Sequence, residues 1–193
     1  QYSGQSIKVM MWGQKYPEIP VWAKEHSLQI LRVEDGFIRS VGLGSNLVAP
    51  LSLVIDDLGI YFDAQSPSRL ENILQTHEFN QHEITQADTL IKALVEKNIG
   101  KYNVGKGGLD LPNPRPQQLI LIPGQVEDDA SIRYGSDYLK SNLDLIKAVR
   151  KENPDAYLIY KPHPDVVSGN RIGKTKDEDA LQYVDQIITQ ANI

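Results

Sequence analysis

The sequence predicts an α/β fold in two lobes, on three observations. Short apolar runs, two of them closed by Gly13 and by Pro123-Gly124, read as buried strands. Segments with apolar residues at helical spacing separate these runs. A stretch with three Gly and three Pro, "GKGGLDLPNPRPQQ" (Gly105–Gln118), divides two such series. Residues 1–104 then form a first lobe, 105–118 a linker and 119–193 a second lobe. A chain of 193 residues, 40% of them apolar, is long enough for this.

The first series opens with "IKVMMWG" (Ile7–Gly13), read as a buried strand, and a short helix over "VWAKEHS". "LQILRV" (Leu28–Val33) and "LSLVI" (Leu51–Ile55) are a second and a third strand. The intervening "IDD" (Ile55–Asp57) is a turn, since Asp favours that place. "GIYFD" (Gly59–Asp63) reads as a short return strand. "SPSRLENILQ" starts a helix with Ser66 as N-cap and Pro67 in the first helical position. "TQADTLIKALVEKNI" repeats apolar residues at Ala87, Leu90, Ile91, Leu94 and Val95, the helical period.

The second series is cleaner. Strand Leu119–Ile122 leads into the acidic "PGQVEDDAS". A helix is expected over Ser136–Glu152, with Leu139, Leu143, Ile146 and Val149 inward and Lys147, Arg150 and Lys151 suiting its carboxyl end. Strand Ala156–Tyr160 leads into "KPHPDVVSGNRIGK", and a helix from about Asp179 to Ala191 closes the chain. Strand–helix–strand order implies parallel strands with crossover helices.

Composition excludes several classes. The net charge is −5, without the strong basic footprint of sequence-independent nucleic-acid binding. The absence of cysteine excludes disulfides, a thiol nucleophile and thiolate metal sites, and fits a cytoplasmic protein. No apolar run reaches membrane-spanning length and no signal peptide is visible. A first residue of Gln1 implies that the natural N-terminus lies upstream.

Ligands of an open parallel sheet bind outside the carboxyl ends of its strands. That rule brings Glu127, Asp128, Asp129, Lys161, His163 and Asp165 to one edge, with Pro162 and Pro164 stiffening the backbone around His163. Two readings stay open: a ligand site, or acids that cap the Ser136 helix beside a loop histidine. A smaller cluster, Glu34, Asp35 and Arg39, follows the second strand around Gly36. "GLGS" lacks the third glycine of a dinucleotide fingerprint, and a flexible turn is the better reading. His26, His77 and His82 show no ligand spacing. Tyr61, Phe62 and Tyr157 read as core.

The ordered blocks "EDGFIRSVGLGS", "PLSLVIDDLGIYFDA", "GKYNVG", "PGQVEDDASI", "KSNLDLI" and "YKPHPDVVSGNR" resemble the capsular polysaccharide β-Kdo transferases of the KpsC type. The resemblance runs from about Met11 to Arg171 and is closer to the second of that family's two modules. It implies two Rossmann-like lobes of a GT-B-like glycosyltransferase, the second lobe truncated. It implies transfer of Kdo from CMP-Kdo, with retention, onto the oligo-Kdo linker of a lipid-anchored capsule chain. No cofactor and no metal are implied.

The partners implied are CMP-Kdo, a lipid-linked Kdo acceptor and other capsule biosynthesis and export proteins. The implied place is cytoplasmic, with peripheral contact at the inner face of the inner membrane of a Gram-negative bacterium. Retention by double displacement needs a carboxylate nucleophile, and position in the "EDDAS" block puts it on Asp129. His163 would steady the departing phosphate with Lys161, Glu34 would be the acid/base, and Arg39 would grip the Kdo carboxylate. Gln125, Glu127, Asp128, Asn170 and Arg171 complete the substrate-binding set. The competing readings are a metal-dependent phosphohydrolase built on Asp128, Asp129, His163 and Asp165, and a non-catalytic glycan-binding or export-associated module.

Overall fold

The computed structural model describes residues 7–14, 16–105 and 107–191. The outer ends of the two expected lobes and Lys106 of the expected linker lie outside the described residues. The chain divides into two compact units: Gln1–Ser40 with Ala49–Lys101, and Val41–Val48 with Tyr102–Ile193. Each carries its own three-stranded sheet.

In the first unit β1 (Lys8–Trp12), α1 (Glu18–Glu25) and β2 (Gln29–Asp35) form a parallel crossover, with Met10 opposite Leu31. β3 (Leu53–Asp56) then pairs antiparallel with β2, Val54 opposite Glu34. Met11, Ala23, Val33 and Ile60 are buried. The "IDD" turn is present, and its chemistry is clear. The Asp56 carboxylate, 1% exposed, accepts the amides of Leu58 (2.8 Å) and Gly59 (3.0 Å) on Oδ1 and that of Arg69 (2.7 Å) on Oδ2.

That carboxylate explains two departures from the sequence reading. "GIYFD" forms a turn and not a return strand: Ile60 is fully buried, and the Asp63 amide donates back to Ile60 O. The next helix, α2 (Arg69–Thr76), is capped by Ser68, not by Ser66 with Pro67 in its first turn. Ser68 Oγ accepts the Glu71 amide while Asp56 takes the Arg69 amide, so the helix starts where both acceptors reach it. α3 (Gln81–Glu96) begins at a capping box between Asn80 and Glu83. Its apolar stripe has the predicted period, yet Leu90, Ile91 and Val95 are exposed.

In the second unit β4 (Leu119–Pro123), β5 (Tyr157–Lys161) and β6 (Gln186–Ile187) are all parallel, in that order. Their core joins Ile122, Leu158 and Tyr160 to Ile146, Ala180 and Val184. Ile146 and Leu158 are fully buried, each worth about 2–3 kcal/mol relative to exposure.

The helix expected over Ser136–Glu152 starts later, as α5 (Asn142–Glu152), and a separate short helix, α4 (Ala130–Gly135), precedes the expected start. Ser141 is the stronger start, since its hydroxyl accepts the Asp144 amide and donates to the Asp144 carboxylate. The expected closing helix is also corrected. After the short α6 (Pro164–Val167) and α7 (Asp177–Ala180), Asp185 exchanges bonds with the backbone of Leu158 and draws the chain into β6. Arg150 holds that corner, reaching Asp185 Oδ2 (2.7 Å) and the carbonyls of Tyr183 and Ala156. A connected, partly exposed polar network outweighs the helical periodicity there.

Candidate active site

The register of β4 and β5 sets Pro123 opposite Lys161, so the segments that follow them leave the same edge of the sheet. Gly124 seals that juxtaposition. Its amide donates to Lys161 O at 2.7 Å, and a Cβ built on it would lie 2.9 Å from Tyr160 Oη and 3.1 Å from His163 N. No other residue leaves room for so close an approach. Residues 124–129 and 161–165 therefore share one strand-end surface, as the parallel-sheet rule predicts.

The three adjacent acids have three different settings. Glu127 Oε1 accepts the Asn142 amide at 2.8 Å and its Nδ2 at 3.3 Å, holding the first turn of α5. Asp128 is exposed and pairs with Arg171 Nη2 at 2.9 Å. Asp129 is the N-cap of α4: Oδ1 accepts both the amide (3.0 Å) and the hydroxyl (2.9 Å) of Ser131. Among the described residues, Asp129 Oδ2 has no hydrogen-bond partner. The capping reading of this loop is thus realised at Asp129, on a helix beginning at Ala130, and it occupies one carboxylate oxygen only.

Asn142, 3% exposed, ties the loop down. It accepts the Gln125 amide (2.7 Å) and donates to the carbonyls of Gln125 and Gly173, both at 2.9 Å. Gly173 has φ +121°, and a Cβ there would meet Gln125 O at 3.0 Å. The Gln125 side chain turns back to Pro123 O.

The cationic side of the edge is arranged differently. Lys161 ends β5 half-buried, and burial pushes its pKa below the ordinary lysine value. Among the described residues its ammonium has no hydrogen-bond or ion-pair partner. Beside it, burial raises the Tyr160 hydroxyl pKa against the lowering effect of a hydrogen bond with Thr175, and the charges of Glu127 and Asp177 add to the rise.

His163 is the N-cap of α6. Its Nδ1 accepts the Asp165 amide at 3.1 Å, which leaves the neutral ring's proton on Nε2 as a donor. The Tyr102 ring meets the imidazole edge to face at 6.5 Å. Asp165 accepts the Ser45 hydroxyl at 2.5 Å, and Asn170 donates to Ser45 and Asn46 at 2.9 Å each. "GLGS" (Gly42–Ser45) is therefore a turn, as read, but its end enters a 3-10 turn (Gly44–Asn46) latched to the segment after β5.

In the first unit, Glu34 lies near the carboxyl end of β2 and accepts the Asp35 amide at 3.0 Å. Arg39 is 5% exposed, with Nε 2.5 Å from Asp35 Oδ2 and Nη1 donating to Ser40 at 2.9 Å.

The structure brings Gln125, Glu127, Asp129, Lys161 and His163 to one edge, with Asp128 and Arg171 paired at its exposed side. Among the described residues no group of three or more His, Asp or Glu side chains could hold a metal ion. Asp128, Asp129 and Asp165 instead take Arg171, Ser131 and Ser45. Sequence reasoning missed Asn142, Ser131 and Gly173. Only Ser131 carried a local signal, as an Asp-x-Ser pair at a helix start.

Comparison with known proteins bears on what this edge serves. The family model for capsule polysaccharide biosynthesis proteins matches residues 8–103 and 76–193. The capsule polysaccharide modification protein LipA of Neisseria meningitidis serogroup B is 56% identical over 186 residues, 96% of this chain and 26% of LipA. The lipopolysaccharide-processing protein LpsZ of Rhizobium meliloti is 42% identical over 156 residues, 78% of this chain and 35% of LpsZ. The chain thus spans about a quarter to a third of the length of these relatives.

Two solved structures of Thermosulfurimonas dismutans KpsC are similar throughout. The β-Kdo 2,7 transferase has 37% identity and TM-score 0.69, covering 96% of this chain and 54% of that one. The β-Kdo 2,4 transferase has 33% identity and TM-score 0.77, covering 97% and 64%. Among the described residues no helix is long and apolar enough to cross a membrane. With its matches spanning both units, the chain belongs to the capsule polysaccharide biosynthesis protein family and is similar to a segment of KpsC.

Proposed function

We propose that this chain is part of a retaining β-Kdo transferase, moving Kdo from CMP-Kdo to the growing oligo-Kdo linker of a lipid-anchored capsular polysaccharide. Its two units would serve as the Rossmann-like lobes of a GT-B-like enzyme, with the donor on the second. The observation that carries this reading is Lys161. A half-buried ammonium without a partner is disfavoured where it stands. An anionic ligand at the strand end offsets that cost, and a nucleotide phosphate suits the place. His163, at the same strand end as Lys161, is assigned to the same leaving phosphate.

Asp129 is the nucleophile in this reading. Its unbonded Oδ2 attacks the anomeric carbon, CMP departs from the opposite face, and the acceptor hydroxyl then displaces the carboxylate from the face CMP vacated, so two inversions give retention. Glu34 is the acid/base for the acceptor proton, and Arg39 is assigned to the Kdo carboxylate, for which it would exchange Asp35. Gln125, Glu127, Asp128, Asn170 and Arg171 line the substrate side. The reaction so written uses no metal and no cofactor. The acceptor is lipid-linked, so the enzyme would work in the cytoplasm with peripheral membrane contact, beside other capsule biosynthesis and export proteins.

Mass spectrometry of the full-length enzyme with CMP-Kdo tests the reading. A Kdo-sized adduct on the peptide containing Asp129 is expected. Turnover with no adduct on that peptide, under conditions that starve the enzyme of acceptor, would reject the double displacement.

A further inference from the structure

We infer that Ser131 is the positioning residue that decides which oxygen of Asp129 reacts; this rests on the reading of Asp129 as the nucleophile. An aspartate's terminal torsion is broad and nearly two-fold, so a carboxylate attached to a loop does not by itself present one oxygen to a substrate. Here two donors converge on the same atom. Oδ1 accepts the Ser131 amide at 3.0 Å and the Ser131 hydroxyl at 2.9 Å, whereas Oδ2 has no partner among the described residues.

Helix capping requires only the amide, which any residue but proline supplies at position 131. The hydroxyl is an additional bond. It fixes the carboxylate plane and draws lone-pair density from the oxygen that does not react.

The chemistry follows with its electrons accounted for. Oδ2 bonds to the anomeric carbon as the bond from that carbon to the CMP phosphate oxygen breaks, its electron pair leaving with CMP. Oδ1 becomes the carbonyl oxygen of the resulting ester and keeps its two donors. In the second half the acceptor oxygen bonds to the anomeric carbon and yields its proton to the base. The bond to Oδ2 breaks, and the pair returns to Asp129, where the Ser131 donors stabilise the recovering charge. The hydroxyl therefore assists the chemical steps and not the binding of CMP-Kdo.

Steady-state kinetics of the full-length enzyme with CMP-Kdo and acceptor, alongside thermal unfolding, test this. Ser131→Ala should lower kcat roughly tenfold to a hundredfold, the loss of one hydrogen bond to a charged group. KM for CMP-Kdo and the unfolding midpoint should stay as in wild type, because the amide still caps α4. Ser131→Thr keeps a hydroxyl and should restore kcat. Ser131→Cys, close in volume but a weak donor, should resemble Ala and carries the test should the Ala variant fail to fold.

Wild-type kcat in Ser131→Ala and Ser131→Cys, with Asp129→Asn inactive, would overturn the positioning role and leave the nucleophile standing. Loss of kcat together with a lowered unfolding midpoint, not rescued by Thr, would overturn it in favour of a structural role. An active Asp129→Asn would instead remove the nucleophile reading on which it rests.

Discussion

Asp56 and Asp129 each fasten the first turn of a helix, one in each unit, and they spend their oxygens differently. Asp56 is sealed from solvent, and both its oxygens are taken by backbone amides, two on Oδ1 and one on Oδ2. Asp129 is partly exposed, and one oxygen takes both bonds while the other takes none. A carboxylate saturated by amides is a structural part, and its worth is read in stability. A carboxylate half used is anchored yet able to react. The same contrast separates Glu127, bound to the start of α5, from Lys161, whose ammonium is held by nothing among the described residues.

The comparison breaks most sharply at Asp129. Asp129→Asn in the full-length enzyme should lower transfer by at least about 10⁴-fold, since an amide keeps the shape without the nucleophile. Its unfolding midpoint should match wild type. An active variant would make Asp129 a second Asp56.

Asp56→Asn should show the opposite pattern. The amide group must face a backbone N–H that now has no acceptor, at a cost of about 3 kcal/mol. Calorimetry should find a midpoint lowered by several degrees, while the protein that remains folded keeps wild-type kcat. A variant as stable as wild type would mean that the three amides find other acceptors.

Lys161→Met sharpens the cation side. Donor KM should rise about tenfold, the loss of one charged contact, with no loss of stability. The sign follows from burial: the folded protein holds this lysine's pKa below its unfolded value, so the unfolded chain binds more protons between the two. The residue's contribution to stability therefore rises with pH through that window. Melts across alkaline pH on both proteins would show the wild-type gain missing in Met. A destabilised Met variant would reveal a structural partner for the ammonium.

The smallest effect belongs to Asp128→Asn. Its bond with Arg171 joins side chains 47% and 40% exposed, and such pairs are worth under about 1 kcal/mol. Turnover should stay within a few-fold of wild type. A dead Asp128→Asn beside an active Asp129→Asn would move the nucleophile by one residue.

Local chemistry made much of this legible. The apolar runs Ile7–Gly13, Leu28–Val33 and Leu119–Ile122 are strands because burial and chain punctuation act within a few residues. The parallel order of β4 and β5 follows from the helix between them, and it alone placed the acids beside Lys161 and His163. The ordered blocks of sequence were specific enough to point to the KpsC-type family.

Tertiary structure decided what periodicity cannot encode. Asp185 forms β6 instead of continuing a helix because Leu158 and Arg150, 27 and 35 residues away, offer it better partners. α2 starts at Ser68 because Asp56 lies against its first amide. Asn142 became the fastening of the acidic loop only once Gln125, Glu127 and Gly173 surrounded it. Sequence identifies which groups can hydrogen-bond or carry charge. Whether each oxygen and ammonium is consumed depends on neighbours distant along the chain, and that is where a capping aspartate parts from a reactive one.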